Sequence, residues 1–101
     1  YFRVRGLVHA QLRMWGRARR DYGAALDHLR RITPADPAAA MTLHGREVGL
    51  AIDQATAAAQ DGDLEAARAI FRRLLAVPED SALVHDVLDV RPELAAVRGS
   101  L

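Results

Sequence analysis

Asp61-Gly62-Asp63-Leu64-Glu65-Ala66-Ala67-Arg68-Ala69-Ile70-Phe71-Arg72-Arg73-Leu74-Leu75-Ala76-Val77-Pro78 holds a helix stop, a helix start and an apolar stripe in one run. Gly62 supplies a residue for the left-handed turn that ends one helix. Asp63 supplies the carboxylate that caps the next. Leu64, Ala67, Ile70, Phe71, Leu74 and Leu75 then recur at three- and four-residue steps, the apolar stripe of an amphipathic helix. Pro78 follows its end. The pattern is helix, tight turn, helix.

Working backwards, Asp36 and Pro37 mark the start of a third helix, with a cap followed by proline where its missing N–H is harmless. Its stripe is Met41, His44, Val48, Ala51, Ile52, Ala55, Ala58 and Ala59, and it runs to Gln60. A second helix is predicted from Asp21, a good N-cap, with Tyr22, Ala25, Leu26, Leu29 and Ile32 on one face, stopped by Thr33-Pro34. A first helix over residues 2–18 carries Val4, Leu7, Val8, Leu12, Met14, Trp15 and Ala18. Forwards, a fifth helix from Asp80 or Ser81 buries Leu83, Val84, Val87 and Leu88 until Arg91-Pro92 breaks it, and a terminal turn with Leu94 and Val97 ends at Gly99. Alternation with period two is absent, so the expectation is an all-α domain of about five helices over residues 1–101.

With 101 residues this is one domain's length of chain. A start at Tyr1-Phe2 is compatible with a fragment or a processed form of something longer. The absence of cysteine excludes disulfides, thiolate metal sites and a thiol nucleophile. No apolar run approaches the ~20 residues that span a bilayer and no signal peptide is visible, so the expectation is a cytoplasmic domain with no membrane partner. All 14 basic residues are Arg, and both Lys and Asn are missing, as codon bias in a GC-rich bacterial genome would produce. Residues 1–31 hold eight Arg against Asp21 and Asp27, whereas residues 32–101 hold six Arg against eleven acids. Such asymmetry suits a solvated face, an acidic partner or an anion.

Two helix ends look alike. Asp21-Tyr22-Gly23-Ala24-Ala25 precedes Leu29, Ile32 and Pro37, and Asp63-Leu64-Glu65-Ala66-Ala67 precedes Phe71, Leu74 and Pro78, at an offset of 42 residues. With Gly62 in front, the second of these resembles the second-helix signature of the tetratricopeptide repeat family, whose period is about 34 residues. The resemblance covers roughly residues 5–90. It implies a right-handed stack of antiparallel helix hairpins, and a protein–protein interaction module (adaptor, scaffold or regulatory domain) that holds a partner peptide or helix in a groove. The family's groove is lined by the first helix of each hairpin. Carried over by position, that implies Met14, Arg17 and Ala18, then Gly49, Ile52, Thr56 and Gln60, with Arg17 meeting an acidic group and Met14 and Ile52 an apolar side chain. The family's carboxylate clamp needs Lys and Asn, and neither occurs here.

Two alternatives stand beside this. A homodimerising structural domain of a larger regulatory protein would pair its long third helix through Val48 and Ile52. Anion or nucleic-acid binding would use Arg13, Arg17 and Arg20, which at steps of four and three residues share one face of a continuous helix. Aromatic residues interleaved for base stacking are missing apart from Trp15 and Tyr22, which places nucleic acid behind an acidic protein partner.

No chemistry of catalysis or metal binding is expected. Asp61-Gly62-Asp63-Leu64-Glu65 begins like a calcium loop, but Ala66 stands where glycine is needed and Arg72 where a bidentate glutamate belongs. His44 and Glu47 share a helix face, a spacing that metal bundles use in duplicate and that occurs once here. His44 is therefore read as a partly buried core residue. Ser81 and Ser100 lie outside any nucleophile elbow. The reading has no enzyme activity and no cofactor.

Overall fold

The structure is a computed structural model, and it describes residues 2–101. Among these there are six α-helices and no strand: α1 (Phe2–Gln11), α2 (Trp15–Arg30), α3 (Pro37–Gln60), α4 (Leu64–Leu75), α5 (Pro78–Val90) and α6 (Ala95–Gly99), with a 3₁₀ turn over Pro92–Leu94 between the last two. Helices adjacent in sequence pack on one another, α2 with α3 most extensively. The molecule measures 39 × 29 × 19 Å.

Local signals set most boundaries. Asp36 accepts a hydrogen bond from the Ala39 N–H (2.7 Å) at the start of α3, with Pro37 in the first turn. Asp63 accepts from the Ala66 N–H (3.1 Å) at the start of α4. Gly62 has φ +86°, and its N–H and that of Asp63 donate to the Ala59 and Ala58 carbonyls. This closure satisfies the last carbonyls of α3 and turns the chain back.

The first hairpin corrects the sequence reading. The predicted helix over 2–18 is two helices, and α2 begins at Trp15 rather than Asp21. The break falls at Arg13, which takes φ +56° without being glycine. Its N–H donates to the Ala10 carbonyl (3.0 Å) and the Met14 N–H to the His9 carbonyl (2.7 Å), the same closure that Gly62 and Asp63 make. Met14 (φ −93°, ψ 66°) and Asp63 (φ −92°, ψ 73°) are also alike. The two hairpins are thus related by a step of 49 residues, Arg13 to Gly62, and not 42. In this register Ala18 matches Ala67 and Tyr22 matches Phe71, and all four are buried.

Asp21 does not cap a helix. It lies mid-α2, 4% exposed, where Arg5 Nη2 donates to it at 2.6 Å and His9 Nδ1 at 2.5 Å, both from α1. Burial pushes its carboxyl up, but the hydrogen bonds and charges of Arg5 and His9 outweigh that and hold it below its ordinary value. Beside this knot the Tyr22 ring packs against Gly6: a Cβ there would stand 2.8 Å from it. The α1–α2 interface is therefore a close backbone approach plus an ion pair, and Val4, Leu7, Val8 and Leu12, expected in the core, face outward.

α3 has two buried faces rather than one stripe. Val48, Ile52, Ala55 and Ala58 join Ala67 and Phe71 of α4, Val84 and Leu88 of α5, and Leu94 and Val97 of the C-terminal turn and α6. Leu50, Ala51 and Ala57 join Ala18, Tyr22, Ala25 and Leu26 of α2. A helix between two layers needs small residues on both sides, and α3 supplies alanine. The first three turns of α3 lie beyond both clusters. Met41 is 78% exposed, and His44 is exposed too, not the core residue expected. His44 Nε2 reaches both carboxylate oxygens of buried Asp80 at 3.0 Å, and Asp80 belongs to the first turn of α5, which starts at Pro78.

Candidate functional site

The protruding part of α3 forms one wall of a groove of about 630 Å³. Thr42, Gly45, Arg46, Gly49 and Leu50 follow helical spacing and present one face to it. Ala25, His28 and Leu29 of α2 form the other wall, and Phe2 and Arg3 of α1 close one end. The apolar lining of the groove is Phe2, Ala25, Leu29 and Leu50. The charged or titratable groups at its edge are Arg3, His28 and Arg46, and no carboxylate lines it. Gly45 and Gly49 are two turn-related positions where an added Cβ would meet nothing within 4 Å. They serve no internal packing and no turn, yet each weakens its helix by about 1 kcal/mol relative to alanine. Their one structural effect is to lower the α3 wall and expose its backbone to whatever lies in the groove.

A polar cluster adjoins the groove at Arg3. Burial pushes the Asp53 carboxyl above its ordinary range, and the charges of Arg91 and Arg3 pull it only part of the way back. Burial, and then the Asp53 charge, push the Tyr22 phenol up. Arg91, at the end of α5, donates to Thr56 Oγ1 (3.1 Å), whose own hydroxyl donates to the Ile52 carbonyl (2.8 Å). This ties the C-terminal helices to α3. A smaller cleft of about 420 Å³ at the other end of α2 is lined by Gly16, Arg19, Arg20, Gln54 and Asp61. Arg19 spans it, pairing with Asp61 at 3.4 Å and with Asp63 at 3.0 Å.

The residues carried over from the repeat resemblance do not converge on the groove. Gly49 lines it. Ala18 (0% exposed) and Ile52 (4% exposed) are core residues and present no surface to a partner. Met14 sits in the α1–α2 turn, and Arg17 lies in α2, the second helix of its hairpin and not the first. Thr56 is engaged by Arg91, and Gln60 is exposed at the far end of α3. Arg13, Arg17 and Arg20 do not share a helix face, because Arg13 lies in the turn before α2 begins. The proposed dimer seam through Val48 and Ile52 is occupied by the protomer's own core. Among the described residues no group of three His, Asp or Glu is placed to hold a metal ion, and His44 pairs with Asp80 rather than acting with Glu47. No helix among them is long and apolar enough to cross a membrane.

The sequence reading missed Arg3, His28, Gly45, Arg46 and Leu50. A signal was present: Thr42, Gly45, Arg46 and Gly49 recur at helical spacing and give α3 a face with no large apolar residue. Comparison with protein-family models, with curated proteins and with solved structures finds no match.

Proposed function

We propose that the chain is a protein–protein interaction module, an adaptor, scaffold or regulatory domain, that holds an apolar-faced peptide or helix bearing acidic groups in the groove between α2 and α3. The observation that carries this reading is the pair Gly45 and Gly49. Two helix-weakening residues without an internal role open a groove lined by apolar residues, with only arginine and histidine as its charged or titratable groups. Such a surface favours a ligand backbone that approaches closely, an apolar side chain against Leu29 and Leu50, and a carboxylate near Arg3 or Arg46. The role is binding rather than catalysis.

A right-handed, tetratricopeptide-like stacking of the hairpins is part of the same proposal. Its support is that α1–α2 and α3–α4 are closed by the same turn and carry the same buried small–aromatic pair, Ala18 with Tyr22 and Ala67 with Phe71.

Selection of displayed peptides against the wild-type chain, followed by titration against Gly49→Leu, tests the groove. The substitution fills it while improving helix propensity, so the variant stays folded and melts no lower than wild type. Selected peptides are expected to lose about tenfold or more in affinity, about 1.4 kcal/mol. Peptides that bind Gly49→Leu as tightly as wild type would sink the reading.

A further inference from the structure

α1 buries its Gly6, His9 and Ala10 side against α2, and Val4, Leu7 and Val8, with Leu12 one residue past its end, face the opposite way. These four lie at i, i+3, i+4 and i+8, one continuous aliphatic face, and are 44–64% exposed. The chain that flanks them carries charge of one sign. From Phe2 to Arg20 the chain carries Arg3, Arg5, Arg13, Arg17, Arg19 and Arg20 and no carboxylate. Arg5 is taken by Asp21 and Arg19 by Asp61 and Asp63, whereas Arg13, Arg17 and Arg20 pair with no carboxylate among the described residues.

From this we infer that the outward face of α1 is a second docking surface, separate from the groove, for an acidic amphipathic helix of a partner protein. Its apolar residues would cover Val4, Leu7, Val8 and Leu12, and its carboxylates would meet Arg13, which follows the stripe in the chain. Size and charge together select this occupant. A ten-residue helix is about 15 Å long. Its face falls far short of the ~800 Å² per partner of a standard interface, so it fits one helix rather than a globular surface. Two α1 faces set against each other would bring arginine against arginine, and like charges select against that symmetric pairing.

The test is a nitrogen-15 chemical-shift titration of the full chain with a synthetic helical peptide of about 18 residues, leucine along one face and glutamate elsewhere. A matched leucine–lysine peptide is the control. The glutamate peptide is expected to shift the amides of Val4, Leu7, Val8, Leu12 and Arg13 with a dissociation constant on the order of 10–100 µM, weakening severalfold between about 50 and about 200 mM salt. The lysine peptide is expected not to bind. Val8→Glu and Leu12→Glu replace exposed side chains, so helicity by circular dichroism stays unchanged while affinity falls about tenfold. Gly49→Leu leaves this binding intact, so the groove and the α1 face can fail separately. Unchanged binding by Val8→Glu and Leu12→Glu would overturn the inference, as would shifts confined to the groove. So would a doubling of the 11.0 kDa mass that Val8→Glu abolishes, which gives the face to a second copy. Failure of the peptide combined with sedimentation on phosphatidylcholine vesicles holding about a quarter phosphatidylserine gives it to a lipid surface.

Discussion

Asp21 and Asp53 are two carboxylates one helix apart with opposite electrostatics. Asp21 receives Arg5 and His9 directly and is held below its ordinary pKa. Asp53 is half-buried, with its nearest guanidinium groups too distant to form an ion pair, and its pKa rises. The consequence for stability follows from proton linkage. The native chain holds the Asp53 proton more tightly than the unfolded chain, so its contribution to stability falls as pH rises from about 3.8 through the raised value. Asp53→Asn removes that burden. It is expected to raise the melting temperature modestly at pH 7, with the gain vanishing at acid pH where Asp53 is already protonated. Calorimetric melts of the variant and wild type across this range provide the check, and a difference that grows toward acid pH would contradict the sign. Neither environment was legible in the sequence, where Asp21 reads as a helix cap. Its partners lie 12 and 16 residues away on another helix.

The element scale is where the sequence reads best and where its one large error arose. Asp36-Pro37 and Gly62-Asp63 act within five residues of themselves, and both mark true boundaries. The α1–α2 turn makes the same closure with Arg13, a residue that gives no sign of a turn, so the sequence pattern of a helix runs straight through it. The equivalence of Arg13 and Gly62 supports a paired prediction. Gly62→Ala places a Cβ at φ +86° and is expected to destabilise by about 1 kcal/mol. Arg13→Gly relieves the same strain at φ +56° and is expected to stabilise by a few tenths to about 1 kcal/mol, some of the relief being lost to the freer unfolded chain. Urea denaturation of the two variants checks both signs. A destabilised Arg13→Gly would mean that the arginine side chain contributes more than its backbone costs.

At the scale of the whole molecule, α3 unites two apolar clusters, and Ile70 and Leu74 of α4 touch both. The chain is therefore expected to unfold as one unit. Phe71, fully buried in the C-terminal cluster, tests this from a distance, because Trp15 packs against the other. Phe71→Ala is expected to cost about 3–5 kcal/mol, a large share of the ~5–15 kcal/mol that holds a domain of this size. The loss should move Trp15 fluorescence and far-ultraviolet circular dichroism to the same lower urea midpoint. A Trp15 transition left in place would show two independently stable halves.

What the sequence determined by itself was local: an all-helical chain, the starts of α3 and α4, the breaks at proline, and the apolar stripe of α4. Propensity, capping and the geometry of proline and glycine act over one turn of chain, so they can be read without knowing the fold. Which apolar face is covered depended on the packing of the helices. Val4, Leu7, Val8 and Leu12 have the spacing of a core stripe and lie outside, because Gly6 lets α1 approach Tyr22 on its other side. Ala18 and Ile52, which the repeat resemblance implies for a groove, lie inside, because α2 and α3 each pack on more than one neighbour. Burial of a face depends on which helices lie beside it, and contacts between residues distant in the chain set that arrangement.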